Sequence, residues 1–109
     1  MIERHWKGIA KTGDADRYIA HLMKDTFPKL SSMSGFIRAS VLRNETDKGV
    51  EFLVVTVWES LDAIKQFAGN TFDIAVVPSV VQQMMVEFDK TVLHYELAAS
   101  YVNNKKRDN

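Results

Sequence analysis

The run from Phe52 to Trp58, FLVVTVW, constrains this chain more than any other stretch. Strand side chains alternate between two faces, which sends Phe52, Val54 and Trp58 one way and Leu53, Val55 and Val57 the other. An antiparallel sheet with one solvated face alternates apolar with polar residues. Here both faces are apolar, so this strand belongs in the middle of a sheet that is covered on both sides. The strand then runs through Glu59 into a helix-start signal. Ser60 is placed to cap a helix whose apolar stripe is Leu61, Ile64, Phe67 and Ala68, and Gly69 suits its C-terminal stop.

The other elements fall around that pair. Residues 2–10 form a plausible first strand, broken at Gly13-Asp14. From Ala15 onward Tyr18, Ile19, Leu22, Met23 and Phe27 recur at helical spacing, with Asp14 expected as N-cap and Pro28 expected to end or bend the helix. Residues 36–43 and 50–58, separated by the polar turn 44–49, read as a hairpin. A second helical piece is predicted from Ser79 through Met84 and Met85 to Phe88, and a last strand over 91–98. The order β-α-β-β-α-β is the ferredoxin-like plan of an α+β fold, a four-stranded antiparallel sheet with the first and third strands central and the fourth beside the first. Two helical segments cover one face of such a sheet. The second apolar face, to which Phe36, Ile37, Val41 and Leu42 also contribute along the second strand, therefore predicts a homodimer packed sheet to sheet.

Composition narrows the function classes. A chain of 109 residues supports one domain, expected over 1–102, and the polar stretch NNKKRDN at 103–109 reads as a disordered tail. Fourteen basic residues balance fourteen acidic ones, which argues against recruitment of nucleic acid or an anionic membrane. KGVEFLVV at 48–55 superficially resembles an RNA-recognition strand, but Val50 and Val55 stand where stacking aromatics are needed. There is no cysteine, no apolar run of membrane-spanning length, and a charged start, MIERHWKG, where a signal peptide would be apolar; a cytoplasmic protein is expected. The five glycines never cluster into a phosphate loop, and His5, His21 and His94 show no metal-binding spacing, so neither cofactor nor metal is indicated.

Two residue groups can carry chemistry. Trp58, Phe67, Phe72, Met84, Met85 and Phe88 either line an apolar cavity between sheet and helices or form a filled aromatic core, two arrangements with one composition. His94, on the side of its strand shared with Val92 and Glu96, is either a general base or a half-buried histidine hydrogen-bonded to backbone or to Glu96. Pairing of the first and last strands would set His5 or Trp6 across from it. Tyr18 and Tyr95 are candidates for an inward hydroxyl.

IERHWKG, GDADRYIAHL, GFIRASVLR, EFLVVTVWES, AIKQFAG and EFDKTVLHYEL, in that order and spacing, resemble the antibiotic biosynthesis monooxygenase family of dimeric α+β barrel proteins. The resemblance implies a cofactor-independent oxidation of a small aromatic, anthrone-like or hydroquinone-like, by dioxygen, with the substrate supplying the reducing power. It points to His94 and Tyr95 as catalytic, and to Trp6, Tyr18, Trp58, Phe67, Phe72 and Met84 as the ligand-binding set. A haem-degrading branch shares the fold. Where that branch has a second tryptophan and an axial histidine this chain has Phe67 and Val77, and a first-strand asparagine has no counterpart among Glu3, Arg4 and His5. The alternative implied by relatives without activity is a dimeric module that binds a small hydrophobic molecule.

Overall fold

In the computed structural model, which describes residues 1–103, strand β1 (Ile2–Ala10) lies at the centre of an antiparallel sheet. Strand β3 (Val50–Trp58) pairs with it along its whole length, from Ile2 opposite Trp58 to Ala10 opposite Val50. Strand β2 (Phe36–Glu45) flanks β3 through the predicted hairpin. Its turn needs Gly49, because a Cβ there would stand 2.3 Å from the carbonyl oxygen of Ala10. On the other side of β1 the last strand is split. Strand β4 (Met85–Phe88) pairs with Gly8–Ala10, and β5 (Leu93–Glu96) pairs with Ile2–His5. The sheet order β2-β3-β1-β4, with β5 also beside β1, is the expected ferredoxin-like α+β arrangement.

The helices cover one face. Helix α1 (Ala15–His21) continues through a wide π-turn (Leu22–Thr26) into α2 (Phe27–Ser31). Pro28 therefore does not end the helical run. Its ring would clash with the carbonyl of residue 24 in a regular α-helix, and the wider turn over 22–26 opens that point. Asp14 does not cap with its side chain; its carboxylate takes Arg17 Nη1 at 2.7 Å instead. Helix α3 (Leu61–Ala68) follows expectation, with the Ser60 hydroxyl accepting Ala63 N–H at 3.2 Å and Gly69 closing it at φ 82°. Helix α4 (Ser79–Met84) stops short of the predicted end. Met85 joins the sheet opposite Ala10, so burial of the adjacent Met84 and Met85 is achieved at a helix-to-strand junction rather than on one helical face.

The inner face of the sheet carries the core, which forms two clusters. One gathers Tyr18, Leu22, Phe52, Val54, Val81, Met84 and Met85, and the other Leu30, Trp58, Ala63 and Ile64. The outer face carries Leu53 and Val55, half-buried, with Leu42, Leu93 and Tyr95 exposed. Residues 104–109, most of the expected tail, lie outside the described residues.

Candidate functional site

Between the two core clusters lies a cavity of about 250 Å³. Its floor is the inner sheet face, through Arg4, Trp6, Val54 and Thr56. Tyr18, His21, Leu22, Asp25, Phe27 and Leu30 of the helical run form one wall, with the π-turn at its middle. The opposite wall is Phe67 with Val76, Val77, Pro78 and Val81. The segment between α3 and α4 that closes this side has little regular structure. It is tied down by Val92 N–H to Asp73 O at 2.8 Å, Ala75 N–H to Lys90 O at 2.9 Å, and side-chain bonds from Arg4. Cavity and filled core, the two alternatives of composition, thus coexist in neighbouring parts of the inner face.

Three of the six expected ligand-binding residues, Trp6, Tyr18 and Phe67, line the cavity. Trp6 is held by its indole N–H donating to Asp89 O at 2.8 Å. Trp58 does not reach the cavity. It is fully buried, stacks on Phe67 at 5.6 Å between ring centroids, and meets Phe36 edge-on at 5.3 Å, so it backs the wall instead of forming it. Met84 is spent in the core. Phe72 packs against the second core cluster with its ring 5.5 Å from His94, outside the cavity lining, and its carbonyl accepts from Arg4.

The two expected catalytic residues are separated. Tyr95 stands on the outer face beside His5, with ring centroids 5.0 Å apart, whereas His94 points inward; alternation along β5 makes this unavoidable. The residue across from His94 is Arg4, neither His5 nor Trp6. Arg4 Nη1 donates to His94 Nε2 at 3.0 Å, and His94 Nδ1 faces the Asp73 carboxylate at 3.6 Å. An arginine has no acceptor, so this bond requires a bare Nε2 and places the proton of the neutral ring on Nδ1, toward Asp73. Burial, and then the Arg4 charge, hold the His94 pKa below its ordinary value, with Asp73 acting against them. His94 does not itself line the cavity; it reaches it through Arg4.

Arg4 and His21 are the site residues that sequence reasoning missed. Arg4 is only 5% exposed, with Nη2 also donating to Ile74 O at 3.3 Å and its guanidinium 5.6 Å from the centre of the Phe67 ring. Burial lowers its pKa and Asp73 partly restores it. A signal existed: in Ile2-x-Arg4-x-Trp6 a charge alternates with apolar residues on what must be the inner face. His21, with its side chain 16% exposed and Nε2 3.9 Å from Asp25, follows Tyr18 by three positions on the same helical stripe. Burial also raises the Tyr18 phenol pKa, which keeps its hydroxyl protonated.

A ferredoxin-like α+β protein with a small aromatic-walled cavity between sheet and helices is the class that these features define. The model of the family described as antibiotic biosynthesis monooxygenase matches residues 7–71, and the chain belongs to that family. Among solved structures, an antibiotic biosynthesis monooxygenase, so described, from Bacillus cereus is 18% identical, with a TM-score of 0.66 over 96% of this chain and 98% of that one. SnoaB, a cofactor-independent oxygenase from Streptomyces nogalater, is 18% identical with a TM-score of 0.58, covering 95% and 97%. MhuD, a haem-degrader from Mycobacterium tuberculosis, is 16% identical with a TM-score of 0.60, covering 94% and 100%. At these identities the likenesses show the fold. No curated protein matches the sequence. Among the described residues no helix is long and apolar enough to cross a membrane.

Proposed function

We propose that the chain is a cofactor-independent monooxygenase that oxidises a small phenolic or enolic aromatic with dioxygen. The carrying observation is the cavity of about 250 Å³ in which aromatic walls, a histidine and a buried guanidinium meet. A dry apolar cavity of roughly 150 Å³ accommodates benzene, and drug-sized ligands occupy roughly 300 Å³ or more. The present volume favours one or two rings, the hydroquinone-like end of the expected substrates over a three-ring anthrone. Removal of the acidic proton raises the electron density of the ring until it can reduce dioxygen. A ring C–H then becomes C=O, one oxygen atom entering the product and the other leaving as water. The protein's part is a base, orientation and exclusion of water.

His94 was the expected base. Its acceptor nitrogen is engaged by Arg4, so its role in this reading is to position Arg4, and the cavity-facing base is His21, with Asp25 beside it. Trp6 and Phe67 supply stacking surface, and Tyr18 a neutral donor. Haem chemistry is not part of the proposal: Val77, at the position of the expected axial ligand, lines the cavity with an alkyl group that has no lone pair to give. The active unit is proposed to be a homodimer formed through the outer sheet face, since Leu42, Leu93 and Tyr95 there are each more than half exposed.

The test is oxygen uptake by the purified, cofactor-free protein with hydroquinones and anthrones, against the autoxidation rate of each compound. Uptake above that rate, with a quinone product, that falls at least about a hundredfold in His21→Ala is expected; unchanged turnover in that variant removes His21 from the mechanism. One observation favours a second reading. A histidine locked to an arginine outside the cavity suits a module that binds a small aromatic without chemistry, and no acceleration across the panel would support it.

A further inference from the structure

We infer that the cavity takes its aromatic ligand as an oxyanion, a phenolate, enolate or carboxylate whose negative oxygen lies against Arg4. This rests on the cavity being the ligand site proposed above. Arg4 is a buried cation in a largely apolar cavity wall, and its bonded partners are all uncharged: the carbonyls of Phe72 and Ile74, and an imidazole that accepts and is therefore neutral. The nearby carboxylates compensate it only in part. Asp73 lies beyond the neutral His94 ring, is 70% exposed and offsets some of the cost of burying Arg4, while Asp25 on the far wall is bonded to Lys29 at 3.2 Å. The Phe67 ring face offers only a weak counter-field. A charge taken out of water without a bonded counter-ion is costly, and a ligand anion offsets that cost.

The donor count points the same way. A guanidinium has five N–H groups. The Phe72, His94 and Ile74 bonds occupy three, leaving Nε–H and one Nη2 hydrogen. Tying down residues 72–74 needs only the engaged donors; the remaining two are free to meet a ligand oxygen in the cavity that Arg4 lines. Arg4 bonding to His94 and to two carbonyls also fixes the plane of the guanidinium before any ligand arrives, so little order is lost on binding.

The experiment compares two ligand pairs of closely similar shape on the full chain at about pH 8, where the acidic member of each is ionised. The pairs are 2-naphthoate against 2-naphthamide and 4-nitrophenol against 4-nitroanisole, with affinities read by calorimetry and by quenching of Trp6. The anionic member of at least one pair should bind about tenfold tighter or better, and the pair that discriminates tells a carboxylate site from a phenolate site. In Arg4→Met the ratio of anionic to neutral affinity within that pair should fall to about one. Equal binding within both pairs overturns the inference while leaving the ligand site intact; a preference that survives Arg4→Met also overturns it. Binding of none of the four compounds defeats the ligand-site reading, and this inference with it. If Arg4→Met does not fold, the wild-type pairs alone decide.

Discussion

The indole N–H of Trp58 donates to the Thr56 hydroxyl at 3.0 Å, two residues away on the same face of β3. Trp58 is fully buried and Thr56 is 7% exposed, so neither group has ready access to water. Thr56→Val keeps the shape of the side chain and replaces the acceptor with a methyl group. It leaves the indole N–H without a partner in the core, which costs about 1–3 kcal/mol. Burial of the added methyl returns up to ~0.8 kcal/mol. The net loss is then centred on about 1 kcal/mol, or roughly 4 °C or more in Tm for a domain near this size. Urea unfolding followed by circular dichroism measures it, provided the m-value is unchanged. The same substitution placed in a Trp58→Phe background, where no N–H exists, should cost nothing or stabilise slightly. An equal loss in both backgrounds would refute the hydrogen-bond account and assign the effect to packing; no loss in the wild-type background would mean that the indole finds another acceptor.

Two further predictions concern the site and the assembly. Because the His94 pKa is lowered in the folded chain, the unfolded chain takes up that proton first as pH falls. Stability should be full above about pH 6.5 and decline below it. His94→Gln should remove this part of the slope in urea titrations run across the window, and an unchanged slope would contradict the assignment. Val55 sits on the outer face between His5 and Ser40, so Val55→Lys should release monomers in analytical ultracentrifugation. A dimer that survived this change would count against sheet-to-sheet packing.

Periodicity made the sheet legible. Strands β1, β2 and β3 announce themselves because each is a long run bounded by turn residues, and the helix over Leu61–Ala68 because cap, stripe and stop agree. The last strand was less legible. Residues 89–92 leave the ladder between β4 and β5, and Met84-Met85 satisfy a helical and an extended pattern equally well. Asp14 shows a local limit: a residue ideal for capping was claimed by Arg17, three positions on, an outcome decided by side-chain geometry rather than residue type.

By itself the sequence determined the order of elements as far as α3, the two apolar faces of β3 and the family, because each of these rests on residue type and spacing along the chain. Only the tertiary structure decided which aromatics line a cavity and which fill the core: Trp58 and Phe67 are both large rings stacked on one another, and what separates their roles is which of them stands in front. It alone also joined Arg4 to His94, 90 residues apart. That partnership depends on the register between β1 and β5, and a shift of one residue would have set His94 beside a different side chain.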